Sequence, residues 1–404
     1  MAAPGLRRRQ GGTRGRGGRT AWRSGPQIRA LRSLFRGAPS MARQAMIGEH
    51  LLHEGWDVHQ TASTPPISLT GGGVWHRERC LHSGGLCHSP AMAELVERLR
   101  NEAQGLGIAR LGVARAVPQD GDRLAAWLAG GYAATMDYMG RHASLRSDPR
   151  ALLPGARSIV CCALHHDPGP PGAAKQDGVA RIARYARGPD YHRVFKGLLH
   201  RLVAVLEAEA PGHRHRVCVD SAPVLERAHA QAAGVGWIGK NTCLIDRLAG
   251  SYFFLGEILT TVELPPDPPA TDHCGTCTAC LDACPTVALV EPYRLDARRC
   301  ISYWTIEHRG EIPAEWAGRL HGWVFGCDLC QEACPFNRFA PPGHPDLAPH
   351  PHLIAPDLAE LVAATAQSFK GQFRGTPIVR AGKQGMLRNL ALAARSARRG
   401  GESI

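Results

Sequence analysis

Fourteen cysteines stand in this 404-residue chain, and eight of them fall between Cys274 and Cys334. Cys274-Gly-Thr-Cys277-Thr-Ala-Cys280-Leu-Asp-Ala-Cys284-Pro285 has the spacing C-x2-C-x2-C-x3-C-P, and a partner run follows at Cys327-Asp-Leu-Cys330-Gln-Glu-Ala-Cys334-Pro335. A short loop of this kind lets three thiolates converge on one 4Fe-4S cluster, while the fourth cysteine, launched into a helix, reaches the other cluster. The spacing therefore predicts one cluster on Cys274, Cys277, Cys280 and Cys334. The second takes Cys284, Cys327, Cys330 and the isolated Cys300, which supplies the ligand that the second loop lacks. C-x2-C pairs also bind zinc. Eight ligands, two Cys-Pro endings and the crossed spacing favour iron–sulfur.

Clusters alone would make an electron carrier, but residues 92–263 precede them, so the clusters are expected to feed chemistry elsewhere in the chain. Within that stretch Gly234-Val-Gly236-Trp-Ile-Gly239 matches G-x-G-x-x-G. The dinucleotide fingerprint needs a strand before it and a helix after it. Here the pattern predicts a helix before and a strand after, so no nicotinamide is expected. The glycines are expected to let backbone lie against a large planar ligand. Cys161, Cys162, Cys218 and Cys243 fall in apolar strands, where cysteine packs as a small hydrophobe. His165, His166 and His192 are metal-ligand types without a third partner at suitable spacing. So many free thiols, with oxygen-sensitive clusters, point to a reducing cytoplasm.

The elements that must position these residues begin near Met92. Before it, residues 1–91 carry thirteen arginines against four acidic residues, most of the net charge of +13. This Arg/Gly-rich leader has no apolar period and cannot offset its own ordering entropy. It reads as a start placed too early or a dispensable tail, a nucleic-acid-binding arm, or a targeting segment; export is disfavoured because no apolar core follows the arginines. No apolar run approaches the roughly 18 residues of a membrane span, so no membrane partner is expected. Residues 92–105 have helical spacing through Leu95 and Leu99, and Gly107–Val113 reads as a strand. Ser158–Leu164 is a buried strand, Tyr191–Glu209 a helix, and Arg214–Val219 a strand that delivers Asp220 at its end. A helix over 222–233 and strands at Thr242–Ile245 and Tyr252–Thr261 follow. Alternating elements predict an α/β or α+β domain, a sheet covered by helices, whose strand order cannot be read. Leu264-Pro-Pro-Asp-Pro-Pro is a linker. After Cys334-Pro335 come a Pro/His-rich stretch and helices at Pro356–Gln367 and Lys383–Arg398.

Three strings carry a resemblance: Val219-Asp220-Ser-Ala-Pro-Val-Leu-Glu-Arg227, Gly234-Val-Gly-Trp-Ile-Gly-Lys240-Asn241 and Gly250-Ser-Tyr-Phe-Phe-Leu-Gly-Glu257. With Arg146-Ser-Asp-Pro149, Arg184-Tyr-Ala-Arg-Gly-Pro-Asp-Tyr-His192 and the double cluster, the chain over about residues 92–395 resembles the epoxyqueuosine reductases. The resemblance implies a cobalamin-binding domain of reductive-dehalogenase-like type over 92–263. A two-cluster, bacterial ferredoxin-like domain would span 264–340, and a Pro-rich linker with a short helical, basic region 341–404. It implies an oxidoreductase that reduces epoxyqueuosine to queuosine at the wobble position of tRNA, fed by an external low-potential electron donor. The cofactors would be cobalamin and two 4Fe-4S clusters. No D-x-H-x-x-G run occurs, as in the family, which binds the corrinoid without a histidine on cobalt. Longer members add a helical-repeat domain that grips the anticodon arm. Here Arg374, Arg380, Lys383, Arg388, Arg395, Arg398 and Arg399 form a basic stretch suited to phosphate contacts, or a solvated helix face. A monomer is expected.

Turning an epoxide into an alkene needs two electrons and a general acid for the departing oxygen. By resemblance that acid falls on Asp220. A free aspartate, with a pKa of about 3.9, would need a rise of roughly three units, about 4 kcal/mol, within the range for buried carboxyls. On spacing alone Asp220 equally caps the next helix. Arg146, Tyr185, Tyr191 and Lys240 join Asp220 as candidates for contacting cobalamin or the nucleoside. Two other classes remain open: a corrinoid dehalogenase-like enzyme acting on a small molecule, and a pure electron-transfer protein.

Overall fold

The computed structural model describes residues 89–166, 169 and 178–401; the expectations for residues 1–88, Cys80 and Cys87 included, lie outside the described residues. Helix α1 (Pro90–Gly105) starts two residues before Met92, with Pro90 in its first turn, and buries Leu95, Val96, Leu99 and Ala103 as one stripe. Strand β1 (Arg110–Arg115) follows, then α2 (Gly121–Ala129) and short helical turns at Asp137–Arg141 and Ala143–Ser147. Strand β2 (Ser158–His165) is buried along its whole length. Next come the short β3 (Arg181–Ile182) and the long α3 (Tyr191–Glu209), which Asp190 caps by accepting the His192 N–H. Strand β4 (His215–Cys218), α4 (Glu226–Ala232), the short β5 (Trp237–Ile238) and β6 (Leu244–Ile245), and β7 (Phe253–Thr260) complete this part.

The sheet order is β1-β2-β7-β4 and every neighbour is antiparallel. Side-chain alternation explains why the central β2 reads as a continuous apolar run. Val160, Cys162 and Leu164 pack with α1 and α3 through Leu99, Phe195, Leu199 and Leu202. Ile159, Cys161 and Ala163 point the other way, into a second core with Cys218, Ala230 and Leu244. Helices therefore cover both faces, and Cys161, Cys162 and Cys218 are fully buried core residues. Two expected elements are shorter than their patterns. The helix expected over 222–233 begins only at Glu226, after Pro223, and the strand at Thr242–Ile245 is reduced to two residues because Thr242 has φ 65°.

The second cysteine-rich part is built from short pieces: α5 (Ala279–Asp282), β8 (Leu289–Glu291), β9 (Arg294–Leu295), β10 (Trp323–Phe325) and α6 (Leu329–Glu332). Each four-residue helix follows a cysteine loop, and α5 and α6 pack on one another. Parallel pairing of β10 with β3 joins this part to the segment before α3. Two C-terminal helices, α7 (Leu358–Gln367) and α8 (Gly382–Gly401), pack together, and α8 lies on β10. Among the described residues no helix is long and apolar enough to cross a membrane.

Candidate active site and cluster-binding cysteines

Asp220 leaves β4 in the left-handed region, at φ 51°. That conformation is uncommon outside glycine, though aspartate tolerates it better than most. It turns the side chain away from the strand and toward the start of α3. There His192 Nε2 lies 3.0 Å from Asp220 Oδ2, and His192 Nδ1 lies 2.7 Å from Asp190 Oδ1. Tyr191 also hydrogen-bonds Asp220. The Tyr191 ring is sandwiched, with Phe254 stacked at 3.8 Å between centroids and His192 at 4.2 Å. Tyr185 meets Tyr191 edge-on at 6.3 Å. Behind Asp220, its backbone N–H donates to Glu226 Oε1 at 2.6 Å.

The electrostatics differ from the expectation that burial lifts the Asp220 carboxyl by three units. Its side chain is 58% exposed. The surrounding protein does raise its pKa, but hydrogen bonds from His192 and Tyr191 and the charge of Arg380 outweigh that and hold it below the ordinary carboxylate value. The same contact, followed by the one with Asp190, raises His192 against the burial that lowers it. Glu226 carries the opposite shift: burial and the Asp220 charge push it up to about 8. Glu257 on β7, fully buried with neither carboxyl oxygen hydrogen-bonded, is raised well above its usual value by burial and by Glu226 and Asp220. Asp220 is thus the member of this acidic group whose carboxyl is lowered, while burial raises those of Glu226 and Glu257.

Arg146 reaches the same region, since its charge acts on Glu226 and on Tyr138. Its buried Nε has no hydrogen-bond partner, an orphan donor that suits a ligand carrying carbonyl, amide or phosphate oxygens. Arg380, paired with Glu307 at 2.9 Å, stands beside Tyr138. With Tyr185 and Tyr191, these side chains place aromatic and cationic groups around Asp220. Glu226 and Tyr138 were not legible as site residues, His192 was considered only as a metal-ligand type, and Arg380 only as part of the basic C-terminal stretch. The signal available for His192 was its place inside the Asp190-Tyr-His192 string.

Lys240 departs from its expected position. Its ammonium donates to the carbonyl oxygens of Gly275 at 2.6 Å and Cys277 at 2.9 Å, so it fastens the first cysteine loop and is not seen beside Asp220. The glycine-rich loop is also used differently. A helix precedes and a strand follows it, as expected, but its tight contacts are internal: a Cβ on Gly236 would lie 2.4 Å from Ile245 O, and one on Gly234 2.7 Å from Pro268 O. The glycines let β5 and β6 close into a hairpin rather than receive a planar ligand. That hairpin delivers Trp237, whose indole N–H donates to Cys274 Sγ at 3.4 Å.

None of the eight cysteines forms a disulfide. Burial, then Cys334, Cys274 and Cys277, push Cys280 up to about 11. Cys300 acts on Cys327 and on Cys330, Cys284 acts on Cys300, and Cys243 acts on both Cys330 and Cys334. An all-thiol donor set of this kind suits 4Fe-4S clusters. Among the described residues no three His, Cys, Asp or Glu side chains are arranged around a single metal ion. Cys243, expected as core packing, lies beside Cys330, which lowers its pKa. In the C-terminal region, Arg388 turns inward to the carbonyls of Trp304, His308 and Gly310, and burial pushes it down to about 10, so it is not a free phosphate contact.

Known families agree with this arrangement. Residues 273–337 match the 4Fe-4S double cluster binding domain, and residues 146–221 match the model described as epoxyqueuosine reductase QueG, DUF1730. An epoxyqueuosine reductase of Pseudomonas aeruginosa is 45% identical over 309 residues, 75% of this chain and 86% of that protein. The Escherichia coli epoxyqueuosine reductase is 39% identical over 305 residues, covering 74% and 80%. A crystal structure of epoxyqueuosine reductase with an epoxyqueuosine-modified tRNA-Tyr stem loop superposes with a TM-score of 0.70 at 33% identity, over 76% of this chain and 82% of that one. Another, from Bacillus subtilis, is described with a catalytic aspartate loop swung out of the active site; its TM-score is 0.69 at 32% identity, over 76% and 82%. Relatives of this identity over three quarters of the chain, with both domain matches, establish that it belongs to the epoxyqueuosine reductase family of oxidoreductases.

Proposed function

We propose that this chain reduces epoxyqueuosine to queuosine at the wobble position of tRNA, with Asp220 delivering the proton to the departing epoxide oxygen. The observation that carries the reading is the placement of Asp220. It is an exposed carboxylate in a left-handed turn, tied to His192 and Tyr191 and flanked by cationic and aromatic side chains. The relative crystallised with its modified stem loop supports tRNA as substrate, and the one described with its catalytic aspartate loop swung out supports a turn residue as the acid. In this reading residues 92–263 form the cobalamin and substrate domain, 264–340 the double-cluster domain and 341–404 the linker and short helical region. Arg146, Tyr185, Tyr191 and Asp220 contact the cobalamin or the nucleoside, and Lys240 holds the first cysteine loop. Cys274, Cys277, Cys280 and Cys334 ligate one cluster, and Cys284, Cys300, Cys327 and Cys330 the other. Cobalamin and the clusters, when bound, supply low-potential electrons received from an external donor. Tyr185 and Tyr191 shield one side of the turn from water, and Arg146 offers its free N–H to a ligand oxygen. The enzyme works as a monomer in the cytoplasm.

The test is turnover of epoxyqueuosine-tRNA by anaerobically reconstituted protein carrying cobalamin. The expected result is conversion to queuosine-tRNA, lost in Asp220→Ala by at least the roughly 100-fold typical of a general acid, with iron content and cluster spectra unchanged. Wild-type protein that binds cobalamin and leaves this tRNA untouched would remove the assignment.

A further inference from the structure

We propose that His192, held between Asp190 and Asp220, is the proton store that charges Asp220 for epoxide opening. The inference rests on reading Asp220 as the proton donor, and it answers a difficulty in that reading. Asp220 is exposed and held in its ionised form, so it has no proton of its own to give at neutral pH.

The geometry provides one. Both ring nitrogens of His192 face carboxylate oxygens: Nδ1 faces Asp190 Oδ1 at 2.7 Å and Nε2 faces Asp220 Oδ2 at 3.0 Å. A neutral imidazole has one donor and one acceptor, and an ionised carboxylate only accepts. Both contacts are satisfied only when both nitrogens carry hydrogen, which is the imidazolium. The ring cannot easily turn away. Asp190 is fixed as the cap of α3, accepting the His192 backbone N–H at 3.1 Å, and its own N–H donates to Gly375 O at 2.7 Å. The ring face lies on Tyr191, which is itself stacked on Phe254. The charged and titratable groups around the pair are Asp190 and Tyr191 on the α3 side, Tyr185 just before α3, Tyr138, Glu226 on α4, Glu257 on β7, and Arg380 from the C-terminal region.

Reducing the epoxide to an alkene consumes two electrons and two protons and releases one water. The electrons come from the external low-potential donor of the proposed activity. The Nε2 hydrogen of His192 first passes to Asp220 Oδ2, and as the C–O bond breaks that same hydrogen passes on to the oxygen, returning Asp220 to its ionised form. This leaves a neutral imidazole with its Nδ1 hydrogen still on Asp190. Solvent then returns a proton to Nε2, and the second proton reaches the departing oxygen by the same route. His192 acts through Asp220 and is a positioning and supply residue, not one that touches the substrate.

The experiment is single turnover of dithionite-reduced, reconstituted holoenzyme on an epoxyqueuosine-modified stem loop between pH 5.5 and 9. It is run for wild type, Asp220→Ala, His192→Gln and Asp190→Asn, with iron content and stem-loop affinity measured for each. Wild type should slow as pH rises through the titration of an imidazolium. His192→Gln should lose that limb and fall by about tenfold or more, up to the roughly 100-fold expected when a general acid is lost, with affinity retained. Asp190→Asn should keep the limb and move it to lower pH, because one of the two charges favouring the imidazolium is gone. Histidine-selective ¹³C NMR, with His192 identified by its loss in His192→Gln, should show the ring titrating above the ordinary value of about 6.5. An active Asp220→Ala variant would overturn the parent reading. An inactive Asp220→Ala beside a His192→Gln of wild-type rate and pH profile would overturn the relay alone, as would a His192 pKa at or below the ordinary value.

Discussion

At the scale of single residues, the site is organised by which carboxyls and imidazoles the protein keeps charged. His229, on α4, is the counterpoint to His192: it is fully buried, neither ring nitrogen is hydrogen-bonded, and burial pushes its pKa down to about 4. The native state therefore refuses a proton that the unfolded chain accepts below about 6.5. Stability is intact above that pH and falls as pH drops toward 4, by about 2 kcal/mol between pH 7 and 5. Urea midpoints across this range should fall for wild type and fall less for His229→Leu; parallel curves would show that His229 does not titrate on unfolding. Much of the residue-level chemistry was legible in the sequence. The cysteine spacing marked a double-cluster segment, and residues 273–337 match a double-cluster binding domain. The ionisation of Asp220 was not legible, because it depends on His192 and Arg380, which lie 28 positions before it and 160 after it. Nor was the turn of Lys240 toward Gly275 and Cys277, since a lysine's spacing says nothing of the carbonyls it will meet.

At the scale of elements, the helices and strands followed from apolar periodicity, yet the order β1-β2-β7-β4 did not. Periodicity reports which faces a segment buries, not which neighbour buries them. Two glycines separate the kinds of information involved. Gly112 on β1 has ordinary strand backbone, but a Cβ there would lie 2.0 Å from Ala233 O at the end of α4, a backbone atom that cannot rotate aside. Gly112→Ala should push α4 off the sheet and lower stability by about 1–3 kcal/mol. Gly197 sits exposed in the middle of α3, and a Cβ there would meet nothing within 4 Å. Gly197→Ala should raise stability by about 0.5–1 kcal/mol, since glycine loses more backbone entropy in a helix than alanine. Thermal midpoints of the two variants should move in opposite directions; a Gly112→Ala midpoint at or above wild type would show that the β1–α4 contact is not close-packed.

At the scale of the whole molecule, the acid site and the clusters must be held in one frame for electrons and protons to meet. The segment between β3 and α3 performs both tasks. Its C-terminal end, at Asp190, leads into Tyr191 and His192 at the start of α3, which reach Asp220, and its N-terminal end, through Arg184, grips the second cysteine loop. Arg184 Nη1 lies 2.6 Å from Glu332 Oε1 and 3.3 Å from Asp328 Oδ2, and the Arg184 N–H donates to the same Asp328 oxygen at 2.8 Å. Asp328 stands between Cys327 and Leu329 and is almost wholly buried. Burial raises its carboxyl even with Arg184 against it, so desolvation consumes much of the attraction. The pair is better understood as fixing where the loop sits than as adding stability. Removing one partner is a different matter, because it strands the other charge in the interior, at about 3–5 kcal/mol. Arg184→Met should therefore lower the unfolding midpoint and release the Cys327–Cys330 loop. Iron per chain should fall toward the content of a single cluster, while Asp220 and its neighbours remain intact. Arg150→Ala, which breaks an exposed pair with Asp148, should leave the unfolding midpoint close to wild type and iron occupancy full. Iron analysis and urea unfolding of the two variants check this directly. An Arg184→Met protein with full iron and an unchanged midpoint would mean that β10, by pairing with β3, holds the cluster loop in place without the buried charges.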